Sequence, residues 1–324
     1  MAKFVDCFML MGTALSLRPE MGRPLLQDVG TTRVNLSLMI QEFKIFESKY
    51  LEIELGGLLT QRWIDPRLGA NIRTRKMAIN GQIWKPKIVN VIGERRKSVE
   101  DSAFWRGFEE NVVLSEKISV RSLCTWDYHK FPFDTQMCDV KFGSFRFPAD
   151  EVELIWDLTA VQVTANLDFN DFEIKNIETS VEIDIRSEGN FSVAVTQFVL
   201  KRQSKHHIFC VFLPLCLLSL LNYLSFWMSK QFRRFFNVIV LICVLISYRM
   251  SCFTHPTPYL KASDIFILIC GCFSLIILTE TFFMDIITTL DDFHYPKKNS
   301  KWVLKLSYPI FYIFVMALYA FWYL

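Results

Sequence analysis

The chain has no CxxC pair and no cluster of cysteine with histidine, so the usual spacing of a metal centre is missing. His206-His207 is a lone pair at the start of an apolar run. There is no basic stripe: 36 Lys and Arg stand against 33 Asp and Glu, a formal net charge of +3, which argues against a nucleic-acid partner. No nucleophile–base pair, carboxylate dyad or phosphate-cradling loop stands out, so an enzyme on a membrane anchor has little to support it, and neither metal nor cofactor is expected. What the chain does have is apolarity. Its 324 residues are 52% hydrophobic with a mean hydropathy of +0.25, too apolar for an ordinary soluble protein and long enough for about two domains.

The apolarity is uneven. Up to about residue 205 charged and apolar positions mix, and beyond it long uncharged runs dominate. Residues 1–28 read as a leader and candidate secretory signal, with Lys3 ahead of an apolar stretch that Asp6 interrupts. From 29 to 204 the pattern is two-residue alternation. Val34, Leu36, Leu38 and Ile40 share one face of a strand; Val181, Ile183 and Ile185 share another, against Glu182, Asp184 and Arg186. Gly56-Gly57, Asn80-Gly81 and Glu188-Gly189-Asn190 read as turns between such segments. The expectation is an all-β sandwich of about ten strands, each sheet burying one face. Asn-x-Ser sequons at Asn35 and Asn190 make both candidate glycosylation sites of a secreted domain.

Four apolar segments follow, at 208–228, 235–248, 265–284 and 306–324. The first holds Pro214, the second gains bilayer length only if Arg249 is included, and the third carries Glu280 near its end. Four spans after an exported sandwich put both termini outside. Lys230, Arg233, Arg234, Lys297, Lys298, Lys301 and Lys305 then fall on the cytoplasmic side, as the positive-inside rule requires. The expected architecture is a multi-domain membrane protein: an extracellular β-sandwich over 29–204 and a four-helix transmembrane bundle over 205–324. Six of the nine cysteines (Cys210, Cys216, Cys243, Cys252, Cys270, Cys272) sit in or beside the apolar runs, where a thiol is a small apolar side chain. Cys7 lies in the leader.

The remaining two, Cys124 and Cys138, are separated by thirteen residues that include Phe131-Pro132-Phe133-Asp134, where the aromatic rings beside Pro132 could plug into something apolar and Asp134 is available as a buried charge partner. Spacing alone leaves two readings open: unrelated thiols beside a proline turn, or a bridge closing a loop of about 15 residues, for which loop entropy gives roughly 3 kcal/mol. With its Phe-Pro-x-Asp core the stretch resembles the signature of the Cys-loop receptors, the pentameric neurotransmitter-gated ion channels. Trp126 and Tyr128 replace the usual aliphatic residues. Other stretches resemble the same family in the expected order. They are Trp63-Ile64-Asp65-Pro66-Arg67-Leu68, Trp84-Lys85-Pro86 with Lys87 in place of Asp, and Phe142-Gly143-Ser144-Phe145-Arg146-Phe147 after the second cysteine, similar to GABA and glycine receptors. Phe198-Val199-Leu200-Lys201-Arg202 resembles the strand entering the first helix, which holds Pro214 and ends at Ser225-Phe226-Trp227.

The resemblance implies a Cys124–Cys138 disulfide and an agonist site between neighbouring subunits, where aromatic rings hold an ammonium group. Carried over position by position, it names Phe145, Phe147 and Phe191. Val89 and Leu58 stand where two other cage rings would be, and Thr60 where a carboxylate-binding Arg would be. Lys117, flanked by Ser115, is the substitute partner for a carboxylate. A glycan on Asn190 would crowd the pocket mouth beside Phe191. No adjacent-cysteine pair lies near Phe191, unlike a nicotinic α subunit. Trp63 and Trp84 read as structural. In the second apolar segment Arg234, Asn237, Val238, Leu241 and Leu245 fall on one helical face and are expected to line the pore, with an Arg234 ring at the inner mouth. The Thr-rich face and Pro-Ala-Arg entry of anion-selective relatives are missing, as is the Glu of cation-selective ones. The residues from 227 to 237 carry three basic groups and no acidic one. The 285–305 connection is too short for the scaffold-binding sequences of animal members.

The reading is therefore a plasma-membrane subunit of a homo- or hetero-pentamer that an amine or amino-acid agonist opens, conducting chloride. Phe131, Pro132, Phe133 and Asp134 would press on the linker around Pro256 and Pro258 to couple binding to gating. The alternatives are a non-binding accessory subunit and a cation-selective channel.

Overall fold

Alternation of apolar and polar side chains over residues 32–64 produces two long antiparallel strands that bury every second side chain. The computed structural model describes residues 23–24, 30–47, 50–66, 84–91, 94–96, 104–108, 111–164, 171–254, 257–289 and 299–323. The leader apart from Arg23 and Pro24, Asn80-Gly81, Arg67-Leu68 and Pro256 lie outside them.

The strands are β1 (Thr32–Glu47), β2 (Leu51–Ile64), β3 (Ile88–Asn90), β4 (Glu94–Arg96), β5 (Phe104–Phe108), β6 (Asn111–Thr125), β7 (Thr135–Ser144), β8 (Val152–Val163), β9 (Phe172–Arg186) and β10 (Gly189–Arg202). They run in the order β8-β1-β2-β6-β7-β10-β9, with β8 parallel to β1. One face-to-face layer is β8-β1-β2-β6 and the other β7-β10-β9. The two join where the end of β6 pairs with β7 at Cys124 and Cys138. Val34, Leu36, Leu38 and Ile40 of β1 are buried as expected, against Leu55 and Leu59 of β2, Val140 and Phe142 of β7, and Phe198 of β10.

Two expectations are corrected. Gly56-Gly57 lies inside β2 and is no turn. β1 bulges between Ile40 and Glu42, and a Cβ on Gly57 would collide with the Met39 carbonyl oxygen, so glycine is required there by backbone approach. Gly57→Ala should destabilise the sandwich by about 1–3 kcal/mol, read as a lower urea midpoint with an unchanged m-value. The second correction concerns β9. Val181, Ile183 and Ile185 do alternate, but they are 45%, 66% and 80% exposed, because β9 is the last strand of its layer and no described element covers this half of it. The β9–β10 turn is where it was expected, with Gly189 at φ +138°.

The chain enters its helical half through a short turn α1 (Lys205–His207), a π-helical turn (Ile208–Phe212) and α2 (Leu213–Leu224), closed by a 3₁₀ turn (Ser225–Trp227). Pro214 follows the π-helical turn directly inside one continuous helical run, and that turn is the local irregularity next to a proline that cannot donate to the helix ladder. Then come α3 (Lys230–Thr254), α4 (Ala262–Thr289) and α5 (Asn299–Tyr323). Four helical segments are long and apolar enough to cross a membrane: Lys205–Trp227, Gln231–Ser251, Ala262–Phe283 and Lys305–Tyr323. Leu215, Val240, Val244, Phe266, Ile267 and Cys270 bring α2, α3 and α4 together. Tyr308 of α5 packs on Phe226 and on Phe273 of α4.

Candidate functional site

The β6–β7 connection is closed at its base by a Cys124–Cys138 disulfide. Its tip, Phe131-Pro132-Phe133-Asp134, points away from the sandwich core towards the helices. Phe131, Pro132 and Asp134 are buried. Arg202, the last residue of β10, is 3% exposed and is held from two sides. Its Nε donates to Asp134 Oδ1 at 2.8 Å, and its Nη1 and Nη2 donate to the Glu47 carboxylate at 2.9 and 2.7 Å. Burial works against its charge, but the hydrogen bonds to Glu47 and Asp134 outweigh that and hold the Arg202 pKa above its ordinary value. The Tyr128 hydroxyl also donates to Glu47, and burial, then this carboxylate, push the Tyr128 phenol up. Three elements that end at the same level (β1, the β6–β7 loop and β10) are thereby tied by one guanidinium. Asp134 was expected as a buried charge partner; Arg202 and Glu47 complete the cluster.

Below this cluster the loop caps a helix. The first backbone N–H groups of α4 have no intrahelical partner. Ala262 N donates to His129 O at 2.9 Å and Ser263 N to Phe131 O at 3.1 Å, which supplies acceptors where the helix dipole is positive. His129 stacks flat on Tyr259 at 4.0 Å, and Tyr128 N donates to the Tyr259 hydroxyl. Asp127 accepts from the backbone and ring of His129, which lowers its carboxyl pKa. Phe131 meets His207 edge-on at 4.9 Å, and Phe133 meets Phe212 at 5.9 Å. Lys261, 1% exposed, donates to Ser251 O at the end of α3, while the Ser251 hydroxyl donates to Asp264 of α4. The plug thus seats on the entry to α2 and the start of α4, and Lys261 ties that start to the end of α3. The recorded contacts fall on Tyr259 to Ser263, a step beyond the expected linker: Pro258 is exposed, and Pro256 is outside the described residues. A cavity of about 360 Å³ opens beneath the plug, lined by Pro132, His206, Cys210, Pro214, Ile246 and Met250.

The expected agonist residues divide between the two layers. Phe145, Phe147 and Phe191 belong to the β7–β10 side. Phe145 is 70% exposed, Phe147 packs on Trp84 at 5.4 Å, and Phe191 is buried with the Arg186 guanidinium 4.6 Å over its ring. Ser115 and Lys117 belong to the β2–β6 layer. The Ser115 hydroxyl shares a 3.0 Å hydrogen bond with Thr60, and Lys117 lines a cleft with Glu42 and Glu54. Within one chain these two sets do not form one site. Trp63 and Trp84 pack edge-to-face in the core, 5.8 Å apart. Asn35 and Asn190 are both exposed.

On α3 the bundle buries Asn237, Val240 and Val244. Asn237 is 0% exposed, so it belongs to the inward face and leaves the expected pore stripe; its amide hydrogen-bonds to no described residue. Leu241 is half-buried at the edge of that face. Arg234, Val238 and Leu245 are exposed on the side away from α4.

Comparison with known proteins matches this geometry. A family model described as the neurotransmitter-gated ion-channel ligand binding domain matches residues 18–204, more than half of the chain. The gamma-aminobutyric acid receptor subunit gamma-3 of Mus musculus is 22% identical over 283 residues, 82% of this chain and 58% of that protein. The serotonin-gated chloride channel mod-1 of Caenorhabditis elegans is 25% identical over 262 residues, 76% of this chain and 53% of that protein. The glycine receptor subunit beta-type 4 of the same organism is 24% identical over 219 residues, 64% and 46% of the two. The chain spans about half to three fifths of the length of these relatives. A two-layer sandwich whose disulfide loop caps the helices below it, matched along the sandwich by that family model, makes this chain a member of the neurotransmitter-gated ion-channel family, the Cys-loop receptors.

Proposed function

We propose that the chain is a subunit of a pentameric, agonist-gated anion channel of the plasma membrane. One observation carries the anion assignment: from Gly189 to Ser263, through α2 and α3, no Asp or Glu occurs, while Lys230, Arg233 and Arg234 stand at the start of α3. A pore lined by α3 then has no carboxylate from α2 or α3 to attract a cation, and it has a cationic ring at Arg234. The two separated residue sets support an agonist site between copies. Phe145, Phe147 and Phe191 of one copy would face Ser115 and Lys117 of the next, with an amine or amino acid between them. Exposed Val181, Ile183 and Ile185 on β9 give the neighbouring copy an apolar surface. An agonist that binds the open state more tightly shifts the equilibrium, and the plug of Phe131 to Asp134 transmits the change to α3 and α4.

The test is two-electrode voltage clamp on oocytes expressing this chain alone, with amine and amino-acid transmitters and a pH step. The expected current reverses at the chloride potential, and Arg234→Glu moves the reversal towards the cation potential. A cation current from the unaltered chain would refute the anion reading. An accessory subunit that binds no agonist is the second reading. It is favoured by the engagement of Phe191 with Arg186 and of Phe147 with Trp84, which leaves Phe145 as the open ring. Silence despite surface expression, with no response gained by aromatics at Leu58 and Val89, would select it.

A further inference from the structure

The cavity of about 360 Å³ beneath the plug has a mostly apolar wall, to which Phe131, Leu218, Ile246 and Met250 contribute. Two of its serines are engaged: the Ser247 hydroxyl donates to Cys243 O and the Ser251 hydroxyl to Asp264. Ser263 differs. It is 4% exposed, lines the same cavity, and its hydroxyl oxygen is buried with no hydrogen bond to a described residue. Buried hydroxyls are as a rule hydrogen-bonded, so this one is suited to an acceptor that enters the cavity.

The same wall carries His206 and Cys210. They lie four residues apart on one side of the run that enters α2, and Cys210 Sγ is hydrogen-bonded to His206 Nδ1 at 3.7 Å. In the tautomer whose Nδ1 accepts, the imidazole is placed to take the thiol proton, and the thiolate is the nucleophilic form. Cys210 sits in the π-helical turn Ile208–Phe212, an irregularity frequent at functional sites. No acidic residue occurs between Glu188 and Asp264, while the loop carboxylates Asp127 and Asp134 are engaged with His129 and Arg202. Cys216 and Cys272 are exposed too, but α2 and α4, which bear them, hold no histidine.

We propose that Cys210 is a modification site for lipophilic α,β-unsaturated aldehydes, with His206 as the base and Ser263 as donor to the aldehyde oxygen. The cavity falls in the range of small-molecule sites, roughly 300–1,000 Å³, and its apolar wall suits a hydrocarbon chain. Cys210 is about 7.5 Å along the axis from the start of the span Lys205–Trp227, at about 1.5 Å per residue, so an aldehyde dissolved in the lipid reaches it near the membrane edge. In the addition the thiol proton passes to His206 Nδ1, and the sulfur bonds to the β-carbon. The C=C π pair moves towards the carbonyl, whose oxygen becomes an enolate that accepts from the Ser263 hydroxyl. The proton on His206 then passes to the α-carbon, leaving a saturated thioether aldehyde and a neutral imidazole. No oxidant or reductant takes part.

The test exposes the full-length protein in nanodiscs to trans-2-nonenal, traps adducts with borohydride and follows each cysteine by peptide mass spectrometry. Cys210 should be modified about tenfold faster than Cys216 and Cys272, and His206→Gln should slow it by about tenfold or more. Ser263→Ala should slow the nonenal adduct several-fold yet leave alkylation of Cys210 by 1-iodohexane, which develops no oxyanion, at its former rate. Cys210→Ser should remove the fast adduct and keep the slow ones. Modification of Cys210 no faster than of Cys216 and Cys272, or a rate indifferent to His206→Gln, would overturn the proposal. Equal slowing of both reagents by Ser263→Ala would remove Ser263 from it. The readout is a mass, so it stands apart from the channel reading: a chain that carries no current still decides the matter.

Discussion

Arg202→Gln should keep this chain from reaching the cell surface. The guanidinium is 3% exposed and makes charge-assisted hydrogen bonds to Asp134 and Glu47, so its removal leaves two carboxylates facing each other without their shared cation, although Gln136 still donates to Asp134 and Tyr128 to Glu47. Breaking a buried pair by deleting one partner costs about 3–5 kcal/mol, a large share of the roughly 5–15 kcal/mol that stabilises a domain. The Arg202 ring contacts add to this, since the guanidinium lies 4.4 Å from the Phe172 centroid and 4.9 Å from that of Phe131. Surface biotinylation should show a several-fold loss. Arg202→Lys keeps the charge but loses the fork that reaches both carboxylates, and should be intermediate. The sharper test is the pair: Arg202→Gln with Asp134→Asn removes one opposing charge and should recover part of the loss. The coupling between contacting residues is about 0.5–3 kcal/mol in such cycles. Normal surface levels for Arg202→Gln alone would mean the cluster is not stabilising.

How far the sequence revealed this depends on whether a residue's surroundings are local. The disulfide loop and ten strands were legible because turn chemistry, alternation and the Phe-Pro-x-Asp motif are short-range features. Asp134 was legible as a charge partner, but Arg202 lies 68 residues from Asp134 and 155 from Glu47, and no spacing rule connects them. Gly56-Gly57 reads as a turn in one dimension; only the β1 bulge shows that the glycine serves a close approach within a strand. For β9 the alternation was correct, yet alternation does not say whether the apolar side meets the same chain or another. Asn237 failed for a related reason. A helical wheel groups it with Arg234 and Leu241, but the boundary between faces is drawn by Val240, Val244 and α4, and it falls between Asn237 and Leu241.

Phe131→Ala should separate the sandwich from the helices while leaving each folded. Its ring is 4% exposed and sits between Arg202, Lys261, Tyr128 and His207, with centroid distances of 4.9, 5.7, 6.2 and 4.9 Å. Its neighbours come from both halves of the chain, and it is absent from the buried core clusters of either. The usual loss for a buried phenylalanine, about 3–5 kcal/mol, therefore falls on the junction. The readout is amide exchange on the full-length protein in nanodiscs. Ala262 and Ser263 are protected because their N–H groups donate to His129 O and Phe131 O, and an undocked loop returns them to water. Their protection should fall by about a hundredfold or more, since each 1.4 kcal/mol is a factor of ten. Amides of β7 and β10 around Val140 and Phe198 should exchange as before. Phe131→Leu retains apolar volume but no π face for Arg202 and Lys261, and should lie between the two. If Ala262 and Ser263 stay protected in Phe131→Ala, the capping carbonyls hold the junction without the ring, and the plug is a backbone device that the disulfide and the Arg202 cluster position by themselves.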